Sequence, residues 1–542
     1  MNRRLLPLLW LLLLPFVALV FYVHPGLDDL SIPLILRAGE SSRLEVFQQL
    51  MFGWNGRYTS NLLAVLSPYT WESLFGYRLL LMLQLPARYF ALYCLISRLL
   101  SPVNIQVDNT PSPAPNTPPE PLKSLKSLKS LKSLKSLKSL KSLTHPSRLY
   151  LLSAAILLLY LHWLPDITES IYWLSGAMVY TWALIVQLLV LALMANSLEK
   201  PTRNKTILLA LLLFLASGFN EIALAINLLL AFGYWLLAAP RLRLRLRLRE
   251  PHAPSPRPHA FSHFSLLISH FSPLFLSVLL AAAIVLSSPG NTGRMYHFPR
   301  GGDVLATLTI AAVSTGKLLG VMAQNLPLLL FGFLLLPHLH SDALRPALRP
   351  LARIHPLWVA ALGLLFLFAC MVVPAWAMGM NPPLRIYNYL GLFFMGFFFW
   401  GLFCLHAWLH KKQIALYPAF TGWGRAALIL IIFLAMAFDF HKQPTPFGGK
   451  TDTETLYIYR GNLPRVTSDL ILRARPYSEA LQKRQAYVNQ QKALGKDSLT
   501  VPPIPNPPTS ILFLDITPDP THWINMLQAE WYGIGQIAVD SD

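Results

Sequence analysis

Residues 5–33 read LLPLLWLLLLPFVALVFYVHPGLDDLSIP, an apolar run that ends in a His-Pro-Gly turn and then sets two carboxylates, Asp28 and Asp29, side by side. As a helix the run is long enough to cross about 30 Å of hydrocarbon. Arg3 and Arg4 precede it as they would in a secretory leader, but no small-x-small cleavage pattern follows before the turn. The run is therefore read as a retained first membrane span. The rest of the chain agrees: of 542 residues, 54% are hydrophobic and 13% are charged. Such a composition excludes a soluble globular protein and describes a polytopic membrane protein. The three cysteines, Cys94, Cys370 and Cys404, all fall within apolar runs, so no disulfide framework is offered to a loop.

Further runs of spanning length lie near 74–97, 149–165, 174–195, 222–239, 264–287, 319–337, 356–376, 387–409 and 424–440, with a shorter one at 206–218. The fold class expected is thus an α-helical polytopic membrane domain over 1–440 with about 11 transmembrane helices. A small α/β domain is expected over 441–542. There the expected elements are a helix near 477–493, a strand at ILFLDI (511–516) and a second helix near 522–531. Lys200, Arg203, Lys205, Arg345, Arg349, Arg353, Lys411 and Lys412 fall in alternate loops together with Arg3 and Arg4. By the positive-inside rule those loops and the N-terminus are cytoplasmic, and 441–542 is extracytoplasmic.

The formal charge of +20 resembles a nucleic-acid footprint until its location is considered. Much of it sits in two low-complexity tracts, uninterrupted KSL repeats within the linker 101–147 and RLRLRLRLR within the basic loop 240–263. At about 100° per residue a period of three walks Leu around the helix circumference and builds no lasting apolar face. The KSL tract is read as a cytoplasmic linker, with weak attraction to anionic lipid headgroups as the alternative, and no nucleic-acid partner is expected.

Asp28 and Asp29 then lie in the first outer loop, 24–71. Leu44, Phe47, Leu50, Met51 and Trp54 recur there at helical spacing, as in an amphipathic helix lying along a membrane surface. The other unusual polar groups fall in outer loops too: Asn55 and Arg57 in WNGRY, Asp166 and Glu169, Asn220 and Glu221, Asn291 and Arg294, and Arg385. Arginines at a membrane boundary suit a lipid-linked phosphate through charge-assisted, bidentate hydrogen bonds. A carboxylate nearby can take a proton from an acceptor hydroxyl or hold a divalent ion. Asp29, favoured over Asp28, is the candidate base, and Mg or Mn on Asp28 and Asp29 is the candidate cofactor. Arg57, Asn55, Asn220, Glu221, Asn291, Arg294 and Arg385 are candidates for donor phosphate or substrate binding. Glu221 stands between two apolar runs, where an acid is costly unless water or a cation meets it. Asp166 and Glu169 are read as solvated loop acids, and the bland reading of the Asp pair is a helix cap.

The order of a first span, LDDL, a surface helix and WNGRYTSNLL resembles the GT-C superfamily of polyprenyl-phosphate-dependent glycosyltransferases. In particular it is similar to a bacterial branch with segments like YWLSGAMVYTW (172–182), GFNE (218–221), PGNTGR (289–294) and DPTHWIN (519–525). The resemblance runs from about residue 5 to 440 in motif order. It implies that an Asp of the first outer loop, here Asp28 or Asp29, is the catalytic or metal-linked carboxylate. It also implies a lipid-linked sugar donor, hexosyl or pentosyl transfer, and a place in a bacterial inner membrane. The longer acidic motifs that better-studied branches carry in the second outer loop are absent from this sequence. A transporter or lipid flippase, and a non-catalytic envelope assembly protein, are the competing classes. A transferase should gather Asp28 or Asp29, Arg57, Glu221 and Arg294 around one cavity, whereas a transporter should bury its charges near the midplane.

Overall fold

The computed structural model describes residues 5–100, 146–249, 260–296, 298, 300–339, 341–414, 422–443, 457–512 and 514–540. The KSL tract lies outside these residues. Leu-rich runs become helices because in hydrocarbon every backbone N–H and C=O must be bonded within the segment. Among the described residues seven helices are long and apolar enough to cross a membrane by length and composition: Leu5–Tyr22, Leu74–Leu99, Leu174–Glu199, Glu221–Ala238, Val304–Ala323, Pro356–Met378 and Leu384–Lys411. Ser272–Leu286 and Pro289–Met295 form an eighth candidate bent by 51°, and Pro146–His162, Leu326–His338 and Gly422–Ala437 are shorter apolar helices. The chain is thus a helical multi-pass membrane protein.

One boundary differs from the sequence reading. The run read as 319–337 straddles a break: Val304–Ala323 ends at Gln324, and Asn325 caps the next helix by accepting a hydrogen bond from Leu328 N. The first of these helices was missed because Thr307, Thr309, Ser314, Thr315 and Lys317 dilute its hydropathy. Its polar groups are managed locally, since Asp303 caps Ala306 N and the Thr307, Thr309 and Thr315 hydroxyls donate to carbonyls one turn back.

Leu74–Leu99 packs along Trp182–Glu199, and Pro356–Met378 lies between Val304–Ala323 and Leu384–Lys411. Threaded among them is a short-turned segment, Trp163–Thr181, whose residues are mostly buried. Irregular backbone at such depth persists only if its carbonyls find donors. They do: Gln84 Nε2 donates to Ile171 O at 2.7 Å, Arg88 Nη2 to Ser170 O at 2.6 Å, and Asn220 Nδ2 to Val179 O at 2.7 Å. Asp166 and Glu169, expected to be solvated, are instead buried in this segment, where Asp166 Oδ1 accepts from Glu169 N at 3.1 Å and Glu169 pairs with Arg385.

The C-terminal elements correct the expected order. Helices run over Asn462–Leu472, Ala474–Ala493 and Trp523–Tyr532, and the parallel strand pair is Ser498–Val501 with Gln536–Val539. The described residues of ILFLDI form no strand. The segment follows the turn in which Ile511 N and Leu512 N donate to Pro508 O, and its Asp515 is held by Arg484 at 2.7 Å. These elements build a second apolar core from Val488, Leu499, Val501, Ile516, Ile524, Ile534, Ile537 and Val539, and Leu27 of the acidic loop belongs to it.

Candidate functional site

The acidic loop follows the first helix. Leu27 has φ 55, a left-handed backbone that costs an ordinary residue about 1–2 kcal/mol, and the next residues close a tight 3₁₀ turn, Leu27–Leu30. The turn separates the two acids. Asp29 points into the bundle, where Oδ1 accepts from Ser175 N at 2.8 Å and Ser175 Oγ at 2.6 Å, and Oδ2 accepts from the Tyr77 hydroxyl at 2.7 Å. Burial lifts its carboxyl to about 6 although these donors oppose the shift. Asp28 keeps an exposed side chain at the other face of the turn. The protein atoms surrounding it still push its pKa up, and Arg385 pulls it back.

Three arginines come to the same end of the bundle. Arg57 donates from Nε and Nη2 to both oxygens of Glu221 at 2.8–3.1 Å, a bidentate pair that fixes the guanidinium plane. Arg294 reaches the same carboxylate more loosely, 3.9 Å from Nη1 to Oε1. Arg385 binds Glu169 through its side chain at 2.6 Å and through its backbone N at 2.7 Å. Its guanidinium stands 5.3 Å from the Trp173 ring and 5.8 Å from the Tyr180 ring. Tyr180 lies within electrostatic reach of all three arginines. Glu169, only 1% exposed at its side chain, is raised by burial to about 7 against the pull of Arg385.

The asparagines singled out in the sequence shape the backbone. Asn55 Oδ1 accepts from Arg57 N at 3.0 Å, Asn220 Oδ1 accepts from Ala223 N at 2.8 Å, and Asn291 Nδ2 donates to Val285 O at 2.6 Å. Glycines let the three loops interlock. A Cβ on Gly290 would stand 2.5 Å from Trp54 N, one on Gly56 2.4 Å from Val285 O, and one on Gly218 2.3 Å from the Tyr58 ring. Gly56, Gly218 and Gly290 are thus required by close approach, and the approach carries Arg57, Glu221 and Arg294 into one cluster.

Of the expected site residues, Arg57, Glu221 and Arg294 converge directly, Arg385 joins them across Tyr180, and the charge of Arg385 also reaches Asp28. Asp29 faces away into its own donors. Glu169, Trp173 and Tyr180 were not among the candidates. Trp173 and Tyr180 belong to the YWLSGAMVYTW segment, which was the available signal, whereas nothing local marks Glu169 as buried. A divalent ion fits the donor set poorly, because both oxygens of Asp29 are engaged and Asp28 is left to offer a single carboxylate. Among the described residues no group of three or more His, Cys, Asp or Glu stands close enough to share a metal. The assembly offers one open carboxylate facing arginines of which two are tied to acids and the third is held loosely. No family model, curated protein or solved structure matches this chain.

Proposed function

We propose that this protein is a GT-C-like membrane glycosyltransferase that moves a sugar from a polyprenyl-phosphate-linked donor to an envelope acceptor at the outer face of a bacterial inner membrane. The reading carries the topology drawn from the sequence, about 11 crossings with the N-terminus cytoplasmic and the C-terminal segment outside. The observation that supports this reading best is the gathering of Arg57, Arg294 and Arg385 around Tyr180, with the open Asp28 beside Arg385, at the ends of helices. Glu221 is tied to Arg57 at 2.8 Å and stands 3.9 Å from Arg294, so Arg294 keeps a loosely held guanidinium for the single negative charge of a phosphodiester. Arg294, the least tightly paired, is the residue for that phosphate. Asp28 takes the proton of the acceptor hydroxyl while its oxygen attacks the anomeric carbon. The bond from that carbon to the phosphate oxygen breaks, and the lipid phosphate leaves toward Arg294. The reaction needs no metal in this scheme.

A transporter reading draws on the 51° bend between Ser272–Leu286 and Pro289–Met295, since broken helices build transport sites. The charges of this cluster lie at helix ends, where a surface reaction would be served. The test is transfer from a lipid-linked sugar by membranes holding equal amounts of each variant. Asp28→Asn should lower the rate about 10²- to 10⁴-fold, the range for loss of a general base. Asp29→Asn should retain most of it. Normal transfer by Asp28→Asn, or no transfer by the parent from any lipid-linked sugar, would remove the enzymatic reading.

A further inference from the structure

The acidic loop is gripped by the C-terminal segment at three places. Ahead of the acids, His24 Nε2 meets Ser478 Oγ at 3.1 Å, with its ring edge-on to Tyr477. At the acids, Leu27 is 5% exposed and sits in the apolar core that Val488, Leu499, Ile516, Ile524 and Ile537 build. Beyond them, the Arg37 guanidinium lies 4.1 Å over the Trp531 ring and donates to Trp531 O at 2.9 Å. Trp531 also stacks on Tyr69, whose neighbour Tyr77 holds Asp29. Helix Trp523–Tyr532 packs directly on the turn Leu27–Leu30.

Leu27 is where these contacts matter. A leucine with φ 55 is disfavoured by the clash of its Cβ with the backbone, so left to itself the loop would relax to an ordinary conformation. Burial of the leucine side chain opposes that relaxation. The turn that opens at residue 27 buries Asp29 in the bundle and leaves Asp28 exposed. We propose that the C-terminal segment is a positioning clamp for the acidic loop, in which Leu27, anchored in that segment's own core, keeps Asp28 turned toward Arg385 and Asp29 turned toward Tyr77 and Ser175. Leu27 is a positioning residue, since it acts through Asp28. The consequence for catalysis rests on the transferase reading, while the clamp itself does not.

The experiment uses the full chain in membranes with Cys94, Cys370 and Cys404 replaced and Asp28→Cys as the probe. Two thiol reagents of equal size, one anionic and one cationic, report the local potential. Within the field of Arg385 the anionic reagent should react at least about tenfold faster, a factor worth about 1.4 kcal/mol of potential difference. Adding Leu27→Ala should bring the ratio toward one, and Leu27→Met should restore it. Should Leu27→Ala fail to reach the membrane, Ile524→Val loosens the same core more gently and should lower the ratio in the same direction. An anionic preference that survives both Leu27→Ala and Ile524→Val overturns the clamp. In the parent background, Leu27→Ala should lower kcat for transfer more than it changes KM. A collapsed ratio with no transfer by the parent leaves the clamp standing and removes the transferase; an unchanged ratio with transfer intact does the reverse.

Discussion

Two neighbouring acids of one residue type take opposite fates because a single backbone sense turns one inward and one outward. Asp29, raised to about 6 by burial, makes a testable contribution to stability. The folded state holds its proton to higher pH than the unfolded chain does, so between pH ~4 and ~6 the folded protein binds more protons and stability falls as pH rises, by up to about 3 kcal/mol. His24 acts oppositely in an overlapping window. Burial and Arg78 lower it to about 4, so its contribution rises with pH up to the ordinary His range. The difference between parent and Asp29→Asn isolates the first effect: thermal unfolding in detergent should show the variant gaining on the parent as pH increases from 4 to 7. Glu221 supports a second prediction. Replacing it with Gln leaves Arg57 and Arg294 facing each other without a counter-charge, and should cost about 1–3 kcal/mol. That figure is below the value for a fully buried pair because the Glu221 side chain retains 19% exposure. Arg57→Gln combined with Glu221→Gln should recover part of the loss in the same assay.

Elements meet at this site through glycine. The turn at Pro289–Met295 lies on Leu50–Trp54 so closely that Gly290 has backbone atoms of Trp54 and Asn55 where its Cβ would be, 2.5–2.7 Å away. Backbone cannot move aside as a flexible side chain can, so Gly290→Ala should destabilise by about 1–3 kcal/mol and loosen Arg294 from Glu221. Gly293, three residues on in the same turn, has nothing within 4 Å of its Cβ position, and Gly293→Ala should be tolerated. Thermal unfolding of the pair, made side by side, checks this without any activity assay. The buried segment Trp163–Thr181 makes a related point. Its short turns survive because side chains of Gln84, Arg88 and Asn220, remote in sequence, take up its carbonyls.

For the whole molecule the expected topology is open to direct mapping. Single cysteines at Arg475 and Lys412, in a chain with Cys94, Cys370 and Cys404 replaced, should differ in intact cells: the first should label with an impermeant thiol reagent, and the second only after permeabilisation. The reverse pattern would invert the orientation drawn from the basic loops. The membrane character and most helix positions were legible in the sequence, because the transfer of a side chain into hydrocarbon depends chiefly on that side chain and its near neighbours. Composition alone therefore marked Leu5–Tyr22 and Pro356–Met378, and it failed at Val304–Ala323, where hydroxyls that bond their own helix look polar in a window average. The candidate motifs were also legible as a set expected to share one side of the membrane. Which of them meet was a tertiary matter. Arg57 finds Glu221 across 164 positions and Arg385 finds Glu169 across 216, and no local pattern encodes such pairs. The burial of Glu169, the turning of Asp28 away from Asp29, and the seating of Leu27 in a core built from residues 488–539 follow from packing. Burial and charge pairing depend on what the rest of the chain brings alongside, and that is decided only when the helices assemble.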